Sequence, residues 1–135
     1  MNWYRRFSSL DGIHSEFPLS SEVMEGIKKD VLSLYPESVG ISIVGTYSRA
    51  NEPISKDKEH DIDVLIRFPA MDIYDQLKIK NRDDSLLWKK WSPVFKKPVI
   101  DFLMRFGEEE PGYGSHRDRR EMGLATPEVV IWKKQ

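Results

Sequence analysis

Residues 61–68 read DIDVLIRF, and this stretch does most to decide the fold. Apart from two acids and an arginine its residues are apolar and rich in β-branched types, so it predicts a strand that ends at Pro69. The runs VGISIV at 39–44 and VIDFLMRF at 99–106 predict two further strands, and EVVIW at 128–132 predicts a short last strand. Strands therefore recur along much of the chain.

Helical periodicity occupies segments before and between these strands. After Ser20 and Ser21, apolar residues recur every three or four positions and predict a helix that ends at Pro36. Residues 71–80 predict a second helix, while the apolar residues of 85–91 fit either a helix or a strand. The order of elements predicts an α+β (α/β) fold, with a small mixed β-sheet flanked by helices.

Length, charge and composition narrow the class of protein. The chain has 135 residues, so we expect a single domain over 1–135. With 21 Lys and Arg against 22 Asp and Glu the net charge is -1, which provides no strong field toward nucleic acid or an anionic membrane. The absence of cysteine excludes disulfides and thiolate chemistry. No apolar run is long enough for a membrane span or a signal peptide, so we expect a cytoplasmic protein with no membrane partner.

Three acids stand in strand-like, apolar surroundings. Asp61 and Asp63 are two residues apart, so on a strand both carboxylates would point from the same face. Asp101 lies in the apolar run VIDFLM, where burying an isolated charge would be costly. If the two strands pair side by side, the three carboxylates converge, as a two-metal site for phosphoryl transfer requires. Mg²⁺ is the natural metal for such ligands.

The segment GTYSR at 45–49 directly follows the first strand. Glycine lets the backbone approach a ligand closely, and the start of a following helix would offer N–H groups to phosphate. Thr46 and Ser48 add hydroxyl donors, and Arg49 adds positive charge. The segment is therefore a candidate anion site facing the acids, although Gly-Thr after a strand is most often an ordinary turn.

The residues from Val44 to Phe68, VGTYSRANEPISKDKEHDIDVLIRF, resemble the signature of the DNA polymerase β-like nucleotidyltransferase superfamily. That signature has a strand, Gly-Ser or Gly-Thr, a gap, Asp-x-Asp on the next strand and a third acid on a later strand, which Asp101 resembles. The ending DIDVLIRFP is similar to the corresponding strand of archaeal-type CCA-adding enzymes, and the matched region spans about 39–106. Two departures are Ala50, where many members have glycine, and a long gap between Gly45 and Asp61.

The resemblance implies a nucleotidyltransferase-like fold and an enzyme of the minimal type. It implies transfer of a nucleoside monophosphate from an NTP such as ATP to an acceptor hydroxyl on RNA, protein or a small molecule. Asp61, Asp63 and Asp101 would be catalytic and would bind two Mg²⁺ ions, with Mn²⁺ as an alternative. Gly45, Thr46, Ser48 and Arg49 would bind the nucleotide. A partner protein subunit is compatible with the short chain.

Two other functions fit the same residues. The chain would instead be a non-catalytic or partner-dependent regulatory module, such as an antitoxin-like subunit, if it kept the fold and acted through a partner. It would be a metal-dependent phosphohydrolase if the clustered carboxylates activated water. The sequence does not name the NTP, the acceptor or the oligomeric state.

Several further residues carry weaker indications. The position of His60 next to Asp61 indicates a structural or supporting role. Lys56 and Lys58 lie in a loop, where lysines are usually solvated. The spacing of Trp88 and Trp91 favours core positions over stacking on a base. We expect the charged segment HRDRRE at 116–121 to form a solvated face.

Overall fold

The computed structural model describes residues 12–57, 60–93, 95, 98–108, 118–119, 121–124 and 127–135. Within them the helices are α1 (Ser21–Leu34), α2 (Ile73–Lys80) and α3 (Ser85–Trp91). The strands are β1 (Gly40–Val44), β2 (Ile62–Phe68), β3 (Ile100–Phe106) and β4 (Val129–Lys133). This described part therefore has an α+β architecture of three α-helices and one four-stranded sheet.

The sheet has the strand order β3-β2-β1-β4 and is mixed, as predicted. Strand β1 is antiparallel to both β2 and β4, whereas β2 and β3 are parallel. The parallel pair is connected through α2 and α3, which form the crossover that parallel strands require. As a result, the end of β1 meets the beginnings of β2 and β3 at one corner of the sheet.

Helix α1 forms where the apolar periodicity predicted it. The Ser20 side chain accepts a hydrogen bond from the Val23 N–H at 3.2 Å, which caps the first turn. The helix ends at Leu34, two residues before Pro36. Its inner face buries Met24, Ile27 and Val31 against the sheet.

The core lies between the helices and one face of the sheet. Strand β2 contributes alternate residues to it, among them Ile62, Val64 and Ile66, all fully buried. At the end of the strand the Phe68 ring packs on Tyr35 edge-on at 5.6 Å and stacks on Phe106 at 5.1 Å. Because such rings bury large apolar areas, this cluster is a major contributor to stability.

The ambiguous segment 85–91 is a helix. Helix α3 buries Leu87, and its two tryptophans face the rest of the protein. Trp88 contacts Phe102 edge-on at 5.3 Å, while Trp91 lies over Gly26 of α1 and donates a hydrogen bond to Asp30 at 2.9 Å. Both tryptophans are half-buried, so the prediction that they take core positions is confirmed only in part.

Several predicted boundaries were wrong by one or two residues. Helix α2 begins at Ile73 and not at residue 71, because the Asp72 side chain caps it by accepting from the Asp75 N–H at 2.9 Å. Strands β1, β2, β3 and β4 each begin one residue later than predicted, at Gly40, Ile62, Ile100 and Val129. Among the helices of the described residues, none is long and apolar enough to cross a membrane.

Strands β2 and β3 carry nearly the same six residues in register. DVLIRF at 63–68 lies beside DFLMRF at 101–106, so acid pairs with acid, leucine with leucine and arginine with arginine. Alternate positions share a face, so the acid, the leucine and the arginine of each strand point away from the core. This second face holds a small apolar cluster of Val44, Leu65 and Leu103. The acids stand at its end, at the corner where β1 finishes.

Candidate active site

Asp63 and Asp101 are direct neighbours across the parallel pair β2 and β3. Adjacent strands lie about 5 Å apart, and registered residues of parallel strands project from the same face. Both side chains are partly buried. The predicted convergence of these two carboxylates is therefore confirmed by the sheet register.

Asp61 reaches the same corner by another route than the one predicted. It was expected on the strand, with the parity of Asp63, but β2 begins at Ile62, so Asp61 lies exposed just before the strand. It nevertheless lies close enough to Asp101 to add, after burial, to the rise in the pKa of that carboxyl group.

Burial and mutual repulsion govern the charge of this cluster. Burial, followed by the charges of Asp101 and Asp61, raises the pKa of Asp63 to about 7, and the nearby Arg49 partly offsets this rise. Burial and then Asp61 also raise the pKa of Asp101. Asp63 and Asp101 therefore hold protons more tightly than ordinary carboxylates do, and a cation would compete with these protons.

The turn after β1 is shaped around Asp63. Gly45 has a φ of 76°, and a β-carbon added there would collide with Asp63 Oδ2 and lie 3.4 Å from its Cγ. The close approach that the glycine permits is thus made by Asp63 itself. The helix start expected after the glycine is a single 3-10 turn, Thr46–Ser48. The buried Ser48 hydroxyl donates to the Gly45 carbonyl at 2.6 Å and so holds the turn closed.

Thr46 and Arg49 flank this turn. The Thr46 hydroxyl lies 3.5 Å from Nδ1 of His60, and the His60 Nε2 bonds the Ser55 carbonyl at 2.8 Å. His60 therefore ties the turn to the chain just before Asp61, which agrees with the supporting role predicted for it. Arg49 is placed close enough to Asp63 to lower its pKa.

His14 was missed by the sequence analysis, because its spacing suggests no ligand or partner. It is buried, and its backbone N–H donates to the Tyr47 carbonyl at 2.8 Å. Its Nδ1 accepts from the Glu16 N–H at 3.0 Å, so its Nε2 is the atom that donates to the Glu52 carbonyl at 2.8 Å. His14 therefore holds both ends of the segment that follows Gly45, Tyr47 through its backbone N–H and Glu52 through its ring.

The expected solvated face at 116–121 is wrong for Arg119. Its side chain is only 16% exposed and donates to Glu52 Oε2 at 2.7 Å. The two residues are so far apart in the sequence that no local pattern predicts this contact. Lys58, His116, Arg117 and Arg120 lie outside the described residues, and Lys56 is exposed as expected.

The chain matches no protein-family model, no curated protein and no solved structure. The resemblance to nucleotidyltransferases therefore depends on the quoted residues alone. Any functional conclusion therefore depends mainly on the geometry of this corner of the sheet.

The residues at the corner fit magnesium by their chemistry. All of the candidate ligands are carboxylate oxygens, which a hard divalent cation prefers. Within the residues that the structure describes, no three His, Asp or Glu side chains form a ready-made cage for a metal ion. Mg²⁺ usually takes only one or two protein carboxylates and completes its shell with phosphate oxygens and water. The paired Asp63 and Asp101, with Asp61 nearby, suit that mode of binding.

Proposed function

We propose that this protein is a metal-dependent nucleotidyltransferase, which moves a nucleoside monophosphate from an NTP to an acceptor hydroxyl on RNA, protein or a small molecule. The observation that carries the proposal is the registered pair Asp63 and Asp101, which lies beside Asp61 and against the Gly45 turn. Clustered carboxylates and an adjacent anion-binding turn are what transfer from a triphosphate needs. The quoted resemblance supports the same reaction.

The three acids have distinct roles in this proposal. Asp61 and Asp63 would hold two Mg²⁺ ions, or Mn²⁺, together with Asp101. Bound metal would supply neutralisation of the developing phosphate charge and would polarise the attacking hydroxyl. Asp101, with its raised pKa, is suited to receive the proton of that hydroxyl. The hydroxyl oxygen would bond to the α-phosphorus as pyrophosphate leaves.

The turn would hold the triphosphate. Thr46 and Arg49 provide a hydroxyl and a guanidinium beside the acids, and charge-assisted contacts of this kind position phosphate strongly. Gly45 would contribute by leaving room for Asp63 and by its positive φ, which shapes the turn. Ser48 would contribute through the shape of the turn, because its hydroxyl already donates to the Gly45 carbonyl.

The test is a label-transfer assay with matched variants. The purified protein is incubated with each α-labelled NTP, Mg²⁺ or Mn²⁺, and total cellular RNA and protein. An Asp61→Asn/Asp63→Asn variant removes the candidate site, while Asp72→Asn/Asp75→Asn changes two exposed acids at the start of α2. We expect label on an acceptor with the wild type and the control, and none with the site variant. Release of nucleotide without an acceptor, if it is lost in the site variant, would indicate a phosphohydrolase instead.

A surface feature favours the regulatory alternative. Ile73, Tyr74 and Leu77 of α2 are 56%, 74% and 45% exposed, and their spacing is close to one helix face. Exposed apolar clusters often mark protein contacts. Under this second candidate function the protein acts through a bound partner. Absence of any transfer or hydrolysis, together with a stable complex that an Ile73→Ser/Leu77→Ser variant abolishes, would favour it.

A further inference from the structure

Glu52 connects the turn after Gly45 to a distant part of the chain. Its Oε2 accepts from Arg119 at 2.7 Å and lies 3.7 Å from Nε of Arg49. Its carbonyl accepts from His14 at 2.8 Å, and its N–H donates to the Arg49 carbonyl at 3.2 Å. One carboxylate oxygen therefore brings two guanidinium groups together on a segment that is held in place by its backbone.

This cationic pair lies beside the candidate active site. The N–H of Arg49 donates to the Thr46 carbonyl at 3.3 Å, so Arg49 belongs to the Gly45 turn itself. Its charge also lowers the pKa of Asp63, which shows that the guanidinium and the acids act on one another. Arg119 is joined to the site through Glu52 although 67 positions separate the two residues.

We propose that Arg119 is a second triphosphate-binding residue, and that Glu52 holds its guanidinium in place until the phosphates arrive. This inference rests on the proposed function. A triphosphate and three carboxylates leave surplus negative charge after two divalent ions and one arginine are counted, so a further cation is needed. Guanidinium binds carboxylate and phosphate with the same fork of donors, so Arg119 can exchange one for the other. In this proposal the Glu52 carboxylate occupies the position that phosphate oxygens would take on Arg119.

A purely structural ion pair makes a different prediction. If Arg119 and Glu52 served only to fasten the C-terminal segment, removal of either partner would have the same effect. If Arg119 binds phosphate, Glu52→Gln leaves the cation in place and removes its internal competitor, whereas Arg119→Gln removes the cation. Arg119→Lys keeps the charge without the fork and should restore part of the binding. Arg82→Gln is the matched control, because Arg82 also pairs with a glutamate, Glu37, near the end of α1.

The experiment measures binding and needs no acceptor. Equilibrium dialysis with Mg²⁺ and each labelled NTP, followed by competition with inorganic tripolyphosphate, gives affinities for the wild type and the four variants. Thermal melts show that each variant folds. We expect roughly tenfold to hundredfold weaker binding of the NTP and of tripolyphosphate for Arg119→Gln. Binding should be unchanged or tighter for Glu52→Gln and unchanged for Arg82→Gln.

The other outcomes overturn the inference in distinguishable ways. Unchanged binding by Arg119→Gln, or equal losses for Arg119→Gln and Glu52→Gln, would make the pair structural and leave the proposed function standing. If the wild type binds no NTP and no tripolyphosphate with Mg²⁺, the proposed function fails and this inference fails with it.

Discussion

The Asp63 carboxylate lies against the Cα of Gly45, in the space that a β-carbon there would fill. The backbone of Gly45 also has a φ of 76°, a conformation that L-residues rarely adopt. Glycine is thus required for two independent reasons, one local and one tertiary. The second reason ties the turn directly to the acid cluster.

Gly45→Ala should lower the free energy of unfolding and displace the Asp63 carboxylate. We expect a loss of about 2–4 kcal/mol, because positive-φ strain and a collision with Asp63 act together. NTP and Mg²⁺ binding should fall sharply with it. Urea denaturation and dialysis measure the two effects.

Gly123→Ala separates strain from collision. Gly123 has a similar φ of 73°, but nothing lies within 4 Å of the place where its β-carbon would be. We expect a loss of only about 1 kcal/mol and unchanged nucleotide binding. Equal effects of the two substitutions on stability and binding would show that the contact with Asp63 is unimportant.

Asp63→Asn should change how stability depends on pH. The folded-state pKa of about 7 lies above the ordinary 3.8, so the folded protein binds this proton more tightly than the unfolded chain does. The stability that the proton provides is complete below about pH 4 and is lost as the pH rises to about 7. The full shift corresponds to about 4 kcal/mol, and partial exposure to water reduces that figure. Without metal, Asp63→Asn should therefore be more stable than the wild type at pH 7.5 by about 1–3 kcal/mol.

Denaturation from pH 4 to pH 8 measures this difference, and the comparison with the wild type removes the contributions of other groups. Asp75→Asn, at an exposed position on α2, should follow the wild-type curve. Added Mg²⁺ should stabilise the wild type at pH 7.5 and leave Asp63→Asn unaffected. A difference between wild type and Asp63→Asn that does not vary with pH would contradict the perturbed carboxyl.

His14→Phe should loosen the segment after Gly45. The phenyl ring keeps the volume but removes the bonds to the Glu16 N–H and the Glu52 carbonyl, at a cost of about 1–3 kcal/mol. The amide of Glu52 should exchange its hydrogen faster. Phe17→Leu is the comparison, since Phe17 packs on Tyr47 at 5.8 Å without polar contacts from its ring. Equal protection of the Glu52 amide in both variants would show that His14 does not restrain it.

A single substitution in the buried ion pair on the second sheet face should lower stability much more than replacement of both residues does. Arg67 and Glu128 are both fully buried, and Arg67 Nε donates to Glu128 Oε1 at 3.1 Å. Glu128→Gln removes the buried carboxylate that pairs with Arg67 and should cost about 3–5 kcal/mol. The double variant Arg67→Met/Glu128→Leu should lie within about 2 kcal/mol of the wild type. Additive losses in a double-mutant cycle would show that the two residues do not interact.

Local patterns predicted most of the fold. The strand around Val64 and the helix around Ile27 follow from side-chain periodicity, which the chain carries over a few residues at a time. The position of Asp61 could not be predicted in this way. Whether a strand begins at residue 61 or 62 depends on backbone pairing with another strand, and the Ile62 N–H bonds the Val99 carbonyl at 2.8 Å.

The candidate site was predicted only in part, because local patterns indicate some of its residues and not others. Asp63 and Asp101 were identified because burying a charged residue of an apolar run costs free energy, and such a residue is visible in the sequence. Arg119 and His14 were not identified. Their partner, Glu52, lies far from each of them in sequence, and no local period relates them.

The sequence by itself determined which segments form strands or helices and which acidic residues stand in apolar runs, because propensity and burial preference act on neighbouring residues. Only the tertiary structure decided that β2 and β3 lie parallel with Asp63 opposite Asp101, that Asp63 fills the space beside Gly45, and that Arg119 reaches Glu52. Those relationships depend on sheet register and chain path, which are set by packing of the whole core around distant parts of the chain.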